Sequence, residues 1–316
     1  MWRDESLLRL LNRQYEASFT HISLIREMIG HVCLLEGDGT KYVCKLYPAF
    51  YESRAVRAAE LVTYLQSAGF SVPGILLSKQ GKPYVMLHTE DGVPGGVCVL
   101  FDYIEGEELD GPLPYEEIGE QVGLLHRLMR GYRGKLPSFG KAYFINVYLG
   151  YLRVFGIDRR QYAWFQAYGN ALWERVRDLP HGFYHGDMHE GNLRRAKTGS
   201  LVLFDFDQSG YAFPSYDMAV LCNRSDYFHF DAGAYDRITD AVRRFAAAYR
   251  KQSPLTEAEV ASVYDFVAIH HYQCQAAVIE KFGLRDFNSA FFDAQREWLD
   301  AWRALCEKKR AGTRTL

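Results

Sequence analysis

No stretch of about 18 or more apolar residues occurs in this chain, so nothing in it reads as a membrane span. Nor is there a surplus of one charge. Thirty-seven Lys and Arg stand against 39 Asp and Glu, a net charge of −2, which argues against general affinity for nucleic acid or anionic membranes. Cys33, Cys44, Cys98, Cys222, Cys274 and Cys306 are scattered, form no CxxC pair and have no His at metal-ligand spacing. The opening MWRDESLLRLLNRQ is amphipathic and charged and lacks the apolar run of an export signal. These features lead us to expect reduced thiols and a cytoplasmic location. Internal repeats, low-complexity tracts and long linkers are also missing.

What is present suits a packed protein. Of 316 residues, 48% are apolar and 15% aromatic, with 22 Tyr and 20 Phe, enough for several buried layers. Leu7, Leu8, Leu10 and Leu11 suggest a short opening helix. His31–Glu36 and Lys41–Tyr47 flank Gly37-Asp38-Gly39-Thr40, a hairpin signature because Asp-Gly tolerates positive φ. Ser53–Ala68 reads as a helix, with Ala55, Ala59, Val62 and Leu65 at helical spacing and Gly69 as its stop. Tyr84–His88 and Val97–Phe101 complete a strand-rich portion.

Beyond Gly106 the pattern turns helical. Ile118, Val122, Leu125 and Met129 form one stripe, and Tyr162–Val176, Asp231–Arg250, Glu257–Lys281 and Ala290–Lys309 read likewise. A strand-rich island, Gly182–Phe206, interrupts them. The expectation is a two-lobed α+β architecture: a β-rich N-terminal lobe over residues 1–103, a helical lobe over 104–316, a hinge near Asp102–Gly106, and a ligand cleft.

The island carries the chemistry. Phosphoryl transfer needs a base for the attacking hydroxyl, a metal held against the phosphates, and a cation near their oxygens. A carboxylate can accept the proton, while an Asn oxygen and a second carboxylate can ligate Mg²⁺, a hard, oxygen-seeking ion. His185-Gly186-Asp187-Met188-His189-Glu190-Gly191-Asn192 followed by Asp205 offers that set in order. Gly186 permits a tight loop before Asp187. Asn192–Arg195, a turn at Ala196–Ser200 and Leu201–Phe204 read as a hairpin that returns Asp205 beside Asn192, although thirteen residues separate them.

HGDMHEGN resembles the HGDxxxxN catalytic loop of the aminoglycoside phosphotransferase/choline kinase family, relatives of the protein kinases. FDFDQSGYAFPSYDMA resembles that family's metal-binding Asp and the Asp-bearing helix start that follows it. The resemblance implies a bilobal protein-kinase-like fold, ATP and Mg²⁺ as cofactors, and phosphate transfer to a hydroxyl of a small, amine-bearing molecule. It implies Asp187 as base, Asn192 and Asp205 as magnesium ligands, and Asp217 as a brace of the catalytic loop. Upstream, over roughly residues 20 to 220 in all, it implies that Lys45 in KYVCKLY and Glu60 in RAAELVTYLQSAGFSVP form the ion pair that aims the lysine at the phosphates. Backbone groups near Asp102 and Ile104 in LFDYIEGEEL take the adenine edge. One departure concerns SLIREMIGHVCLLEGDG, where the broader class often has a glycine-rich loop: it has only Gly30 ahead of the hairpin's first strand, and Arg26 is a candidate helper.

Plainer readings stand beside these. Lys45 alone reads as a solvated edge lysine and Glu60 as an exposed helix charge. His185 reads as a structural member of the loop, His126 as a satisfied helix residue, and His189, His270 and His271 as packing or surface residues. Asp207 is a contact behind the metal or a loop acid. Asp226, Asp231, Glu280 and Asp286 are candidates for the acceptor's amine. Alternatives to a small-molecule kinase are a protein Ser/Thr kinase of the same fold and a non-catalytic kinase-like binding or spore-coat protein. A metallophosphoesterase needs an Asp-x-His upstream of Gly186, which is absent.

Overall fold

The computed structural model describes residues 4–27 and 30–313. In chain order its elements are α1 (Asp4–Gln14), β1 (Phe19–Glu27), β2 (His31–Gly37), β3 (Thr40–Pro48), α2 (Glu52–Ser67), β4 (Val85–Leu87) and β5 (Gly96–Asp102). Then come β6 (Gly106–Glu108), α3 (Tyr115–Met129), α4 (Val147–Phe155), α5 (Arg159–Val176), β7 (Gly182–Tyr184), β8 (Leu193–Ala196) and β9 (Leu201–Leu203). Last are β10 (Gly210–Ala212), α6 (Pro214–Cys222), α7 (Ala234–Tyr249), α8 (Glu257–Ala261), α9 (Val263–Phe282) and α10 (Ser289–Thr313). Met28 and Ile29, within SLIREMIGHVCLLEGDG, lie outside the described residues.

The chain divides into two compact units. The first holds Met1–Leu113, Gly131–Leu136 and His189–Ser209; the second holds Pro114–Arg130, Pro137–Met188 and Gly210–Leu316. Residues beyond 103 therefore belong with the first unit as well. The reason is hydrogen bonding: β6 pairs with β8, and β8 with β9, in a three-stranded antiparallel sheet that ties 193–203 to 106–108.

The first unit is built on an antiparallel sheet of order β1-β2-β3-β5-β4. Asp38 (φ 51°) and Gly39 (φ 74°) make the tight β2–β3 turn, both in the left-handed region that this kind of hairpin requires. Strand side chains alternate between faces. Cys33 and Leu35 of β2 and Cys44 and Leu46 of β3 enter a core with Leu7, Leu10 and Leu11 of α1. An isolated helix of eleven residues is marginal in water, so α1 owes its order to that packing, at about 1.5–3 kcal/mol for each leucine buried. On α2, Ala55, Ala59, Val62 and Leu65 are buried, as their spacing predicts.

In the second unit the stripe Ile118, Val122, Leu125 and Met129 of α3 is buried. α6 is buried along most of its length, from Ser215 to Cys222. The helix expected over Glu257–Lys281 is broken into α8 and α9. A reciprocal cap between Thr256 and Glu259 starts α8, and Asp265 N–H donates to Ser262 C=O at 3.0 Å, a tightened turn that separates the two helices. The six cysteines form no disulfide. Among the described residues no helix is long and apolar enough to cross a membrane.

Candidate active site

On the side of the first unit's sheet opposite α1 lies a cavity of about 550 Å³, lined by Val32, Leu34, Val43, Lys45, Ala58 and Val62 among others. Lys45 alternates out of phase with Cys44 and Leu46, so it leaves the core face and enters the cavity wall. Only 14% of its side chain is exposed. A lysine so placed needs acidic partners. Its Nζ donates to Asp205 Oδ1 at 2.8 Å and to Asp207 Oδ2 at 3.4 Å. Burial pulls the ammonium down, but the acidic surroundings, Tyr47 with the Asp207 and Asp205 carboxylates, outweigh it and hold Lys45 well above the usual lysine range.

The β8–β9 hairpin delivers those acids. Leu193 pairs with Leu203, and Phe204 N–H donates to Asn192 C=O at 3.1 Å, so Asn192 and Asp205 leave the same end of the hairpin. Asp205 turns the chain at φ 67°, a conformation Asp tolerates better than most residues. Arg26, at the end of β1, reaches within 3.9 Å of its second oxygen. Asn192 is 3% exposed. An amide oxygen and a carboxylate at one hairpin end fit a hard divalent cation.

The turn Phe206–Gln208 follows directly and sets Asp207 beside the sheet. The Tyr47 hydroxyl lies 2.9 and 3.0 Å from the two Asp207 carboxylate oxygens and donates to them. Burial pushes the Asp207 carboxyl up, while Lys45 and the Tyr47 hydrogen bond pull it down.

Asp102, Tyr103 and Ile104 line the same cavity. The Asp102 N–H donates to Gly74 C=O at 2.8 Å, which removes it as a donor to a ligand. The Ile104 N–H has no partner among the described residues.

The start of the HGDMHEGN loop, residues 185–188, belongs to the second unit. Gly186 adopts φ 86°, the tight turn its position suggested. The amides of His185 and Gly186 donate to Asp217 Oδ2 and Oδ1 at 2.6 and 3.0 Å. His185 is fully buried, and its Nδ1 accepts from Asp187 N–H at 3.3 Å. Asp187 itself is half-buried. The Cys274 thiol on α9 is pushed up to about 12 by burial and, secondarily, by the Asp187 charge, so α9 runs beside this carboxylate. A separate cleft of about 270 Å³ in this unit is lined by Arg175, Asp265 and Arg310 among others. Its Arg175 and Arg310 both grip Asp265.

The profile of the phosphotransferase enzyme family matches residues 22–255, a stretch that contains Lys45, Asp187, Asn192, Asp205 and Asp217. The chain belongs to the phosphotransferase enzyme family. Among solved structures, this family member resembles amicoumacin kinase hAmiN in complex with AMP-PNP, Ca²⁺ and Ami. The two are 18% identical with a TM-score of 0.73, over 96% of this chain and 93% of that one. A microcompartment-associated aminopropanol kinase is 16% identical with a TM-score of 0.72, over 98% of both chains. Choline kinase LicA from Streptococcus pneumoniae is 15% identical with a TM-score of 0.58, over 92% and 94%. At such identities the likeness shows the protein-kinase-like α+β fold. An uncharacterized protein of Deinococcus radiodurans is 33% identical over 127 residues, which is 39% of this chain and only 36% of that relative.

One expected pairing is absent from this phosphotransferase-family chain. Glu60 is exposed, and Lys45 is paired with Asp205 and Asp207 instead. The cause is helix geometry: Ala58 and Val62 face the cavity, and a residue two positions from each lies on the far side of α2. One contributor, Tyr47, was missed. It had a signal, its period-two relation to Lys45. His126, expected as a satisfied helix residue, is buried with Nδ1 2.8 Å from the Tyr249 hydroxyl and Nε2 3.0 Å from Asp217; its partners, not its role, were hidden. No local pattern announces a contact across 91 residues of chain.

Proposed function

We propose that this protein is an ATP-dependent phosphotransferase that moves the γ-phosphate of ATP to a hydroxyl of a small, amine-bearing molecule. The observation that carries the reading is the Lys45–Asp205 pair, 2.8 Å long, in the wall of a cavity of nucleotide size. Lys45 and Arg26 then serve the phosphate oxygens. The Ile104 N–H and the carbonyl at Asp102 serve the adenine edge. Asn192 and Asp205 hold Mg²⁺, which when bound neutralises phosphate charge. Asp187 accepts the proton of the acceptor hydroxyl, and Asp217 keeps its loop in shape.

Of the four acids considered for the acceptor's amine, Asp226 is spent on His229 and Asp231 on Arg237. Glu280 and Asp286 make no ion pair among the described residues. Glu280 is exposed on α9, the helix that also carries Cys274, whose thiol feels Asp187, and its charge reaches Tyr151. We assign it the amine. The names of the similar kinases, aminopropanol and choline kinases, support an amine-bearing alcohol as the class to try first.

The test is a screen of amino alcohols, amino acids and sugars for magnesium-dependent ADP release, with phosphate ester formation followed by mass spectrometry. Ester formation on an amino alcohol is the expected result. Failure to bind Mg–AMP-PNP, or phosphate release from esters without ATP, rejects the reading.

A further inference from the structure

Lys45 has two acidic partners, and they differ in their other commitments. Asp205, at 2.8 Å, also faces Arg26 and is the carboxylate to which the proposed function gives a cation. Asp207, at 3.4 Å, is engaged besides by the hydroxyl of Tyr47, which lies within 3.0 Å of both its oxygens. Lys45 and Tyr47 are two residues apart on β3 and so leave the strand on the same side. Tyr47 is 3% exposed, and the Asp207 side chain 13%. The helix that could supply such an acid does not: α2 turns Ala58 and Val62 toward the cavity and Glu60 away from it.

We propose that Asp207, locked by the Tyr47 hydroxyl, is the positioning residue that keeps Lys45 aimed into the cavity when Asp205 is engaged by a divalent cation. The inference rests on the phosphotransfer reading above. A carboxylate shared between an ammonium and a dication is drawn to the dication, and the ammonium is repelled by it. Lys45 then needs a second, fixed anion. A phenol suits the task of fixing it because it orients the carboxylate without cancelling its charge, which stays available to the lysine.

The experiment compares wild type, Asp207→Asn, Asp207→Glu, Tyr47→Phe and Glu60→Gln. It uses calorimetric binding of AMP-PNP with magnesium and the KM and kcat of magnesium-dependent ADP release. Losing a charge-assisted contact predicts roughly tenfold or more weaker nucleotide binding and a matching rise in ATP KM for Asp207→Asn. Tyr47→Phe shifts both in the same direction by about three- to tenfold. Asp207→Glu recovers part of the loss, and Glu60→Gln behaves as wild type. A merely structural role lowers the unfolding midpoint but leaves the affinity of the folded protein unchanged and is not rescued by Asp207→Glu. If Asp207→Asn does not fold, Tyr47→Phe, which removes one oxygen atom, carries the comparison. Unchanged affinity and KM in the folded variants, or an equal loss in Glu60→Gln, overturns the proposal alone. A wild-type protein that binds no nucleotide overturns it together with the kinase reading.

Discussion

His126 Nε2 stands 3.0 Å from Asp217 Oδ2, with side-chain exposures of only 4% and 0%. The same carboxylate accepts the amides of His185 and Gly186, so one buried charge serves three donors from two separate stretches of chain. With Nε2–H donating to Asp217, Nδ1 is left to accept from the Tyr249 hydroxyl, and both ring nitrogens are satisfied.

Asp217→Ala strands all three donors in the interior. Breaking a buried, hydrogen-bonded charge costs about 3–5 kcal/mol. Urea denaturation should show a loss of that size, with a smaller one for Asp217→Asn, which keeps an acceptor oxygen. A midpoint unchanged from wild type rejects the bracing role.

Asp187 and Asp205 should fail differently. Asp187→Ala is expected to lower kcat by about 10²–10⁴-fold while leaving Mg–AMP-PNP affinity near wild type, because a base acts only on the reacting proton. Asp205→Ala should weaken nucleotide binding in magnesium as well as the rate. Near-normal turnover in the Asp187 variant sinks its assignment as base.

Glu280→Gln should raise the KM for an amine-bearing acceptor about fivefold, the size of an exposed ion pair near 1 kcal/mol, without moving the KM for ATP. The check is a pair of substrate titrations, and an effect on ATP alone contradicts the assignment.

A fourth expectation concerns stability. His271 on α9 is fully buried and stacked on Trp298, with ring centroids 4.6 Å apart. Burial pushes its pKa down to about 3, with Gln295 opposing the shift and His270 adding to it. An unfolded His titrates near 6.5. Between those values the unfolded chain binds a proton that the folded chain refuses, so stability falls as pH drops from about 6.5 toward 3. The slope is roughly 1.4 kcal/mol per unit. Denaturation midpoints at pH 7, 6, 5 and 4 should show this decline, and His271→Phe should flatten it. An equal slope in the variant assigns the pH effect to another group.

Much of this was legible in the sequence because it is local. The alternation of Cys44, Lys45 and Leu46, the Asp-Gly turn and the stripe of α3 each depend on residues a few positions apart. α4 escaped because its run Val147–Phe155 is short and apolar at most positions, with Val147 and Val154 exposed, so the buried set Tyr148, Leu149 and Leu152 does not stand out. In the site, the hairpin joining Asn192 to Asp205 could be read from its turn. Which face of α2 meets Lys45 could not, since periodicity fixes the angle between Ala58 and Glu60 but not which of them faces the cavity. Lys45 meets Asp207 across 162 residues, a pairing that only the folded chain reveals.

The left-handed backbone at Asp205 has an evolutionary consequence. Gly and Asn occupy φ 67° as comfortably as Asp does, so either could replace Asp205 with little conformational strain. Inactivation by that route leaves the backbone unstrained and Lys45 still paired with Asp207. At Asp217, by contrast, a replacement without an acceptor oxygen damages scaffold and chemistry together. Descendants of such a chain that keep the architecture and abandon phosphoryl transfer should therefore have changed first at position 205, and they should still be foldable enough to take up another trade.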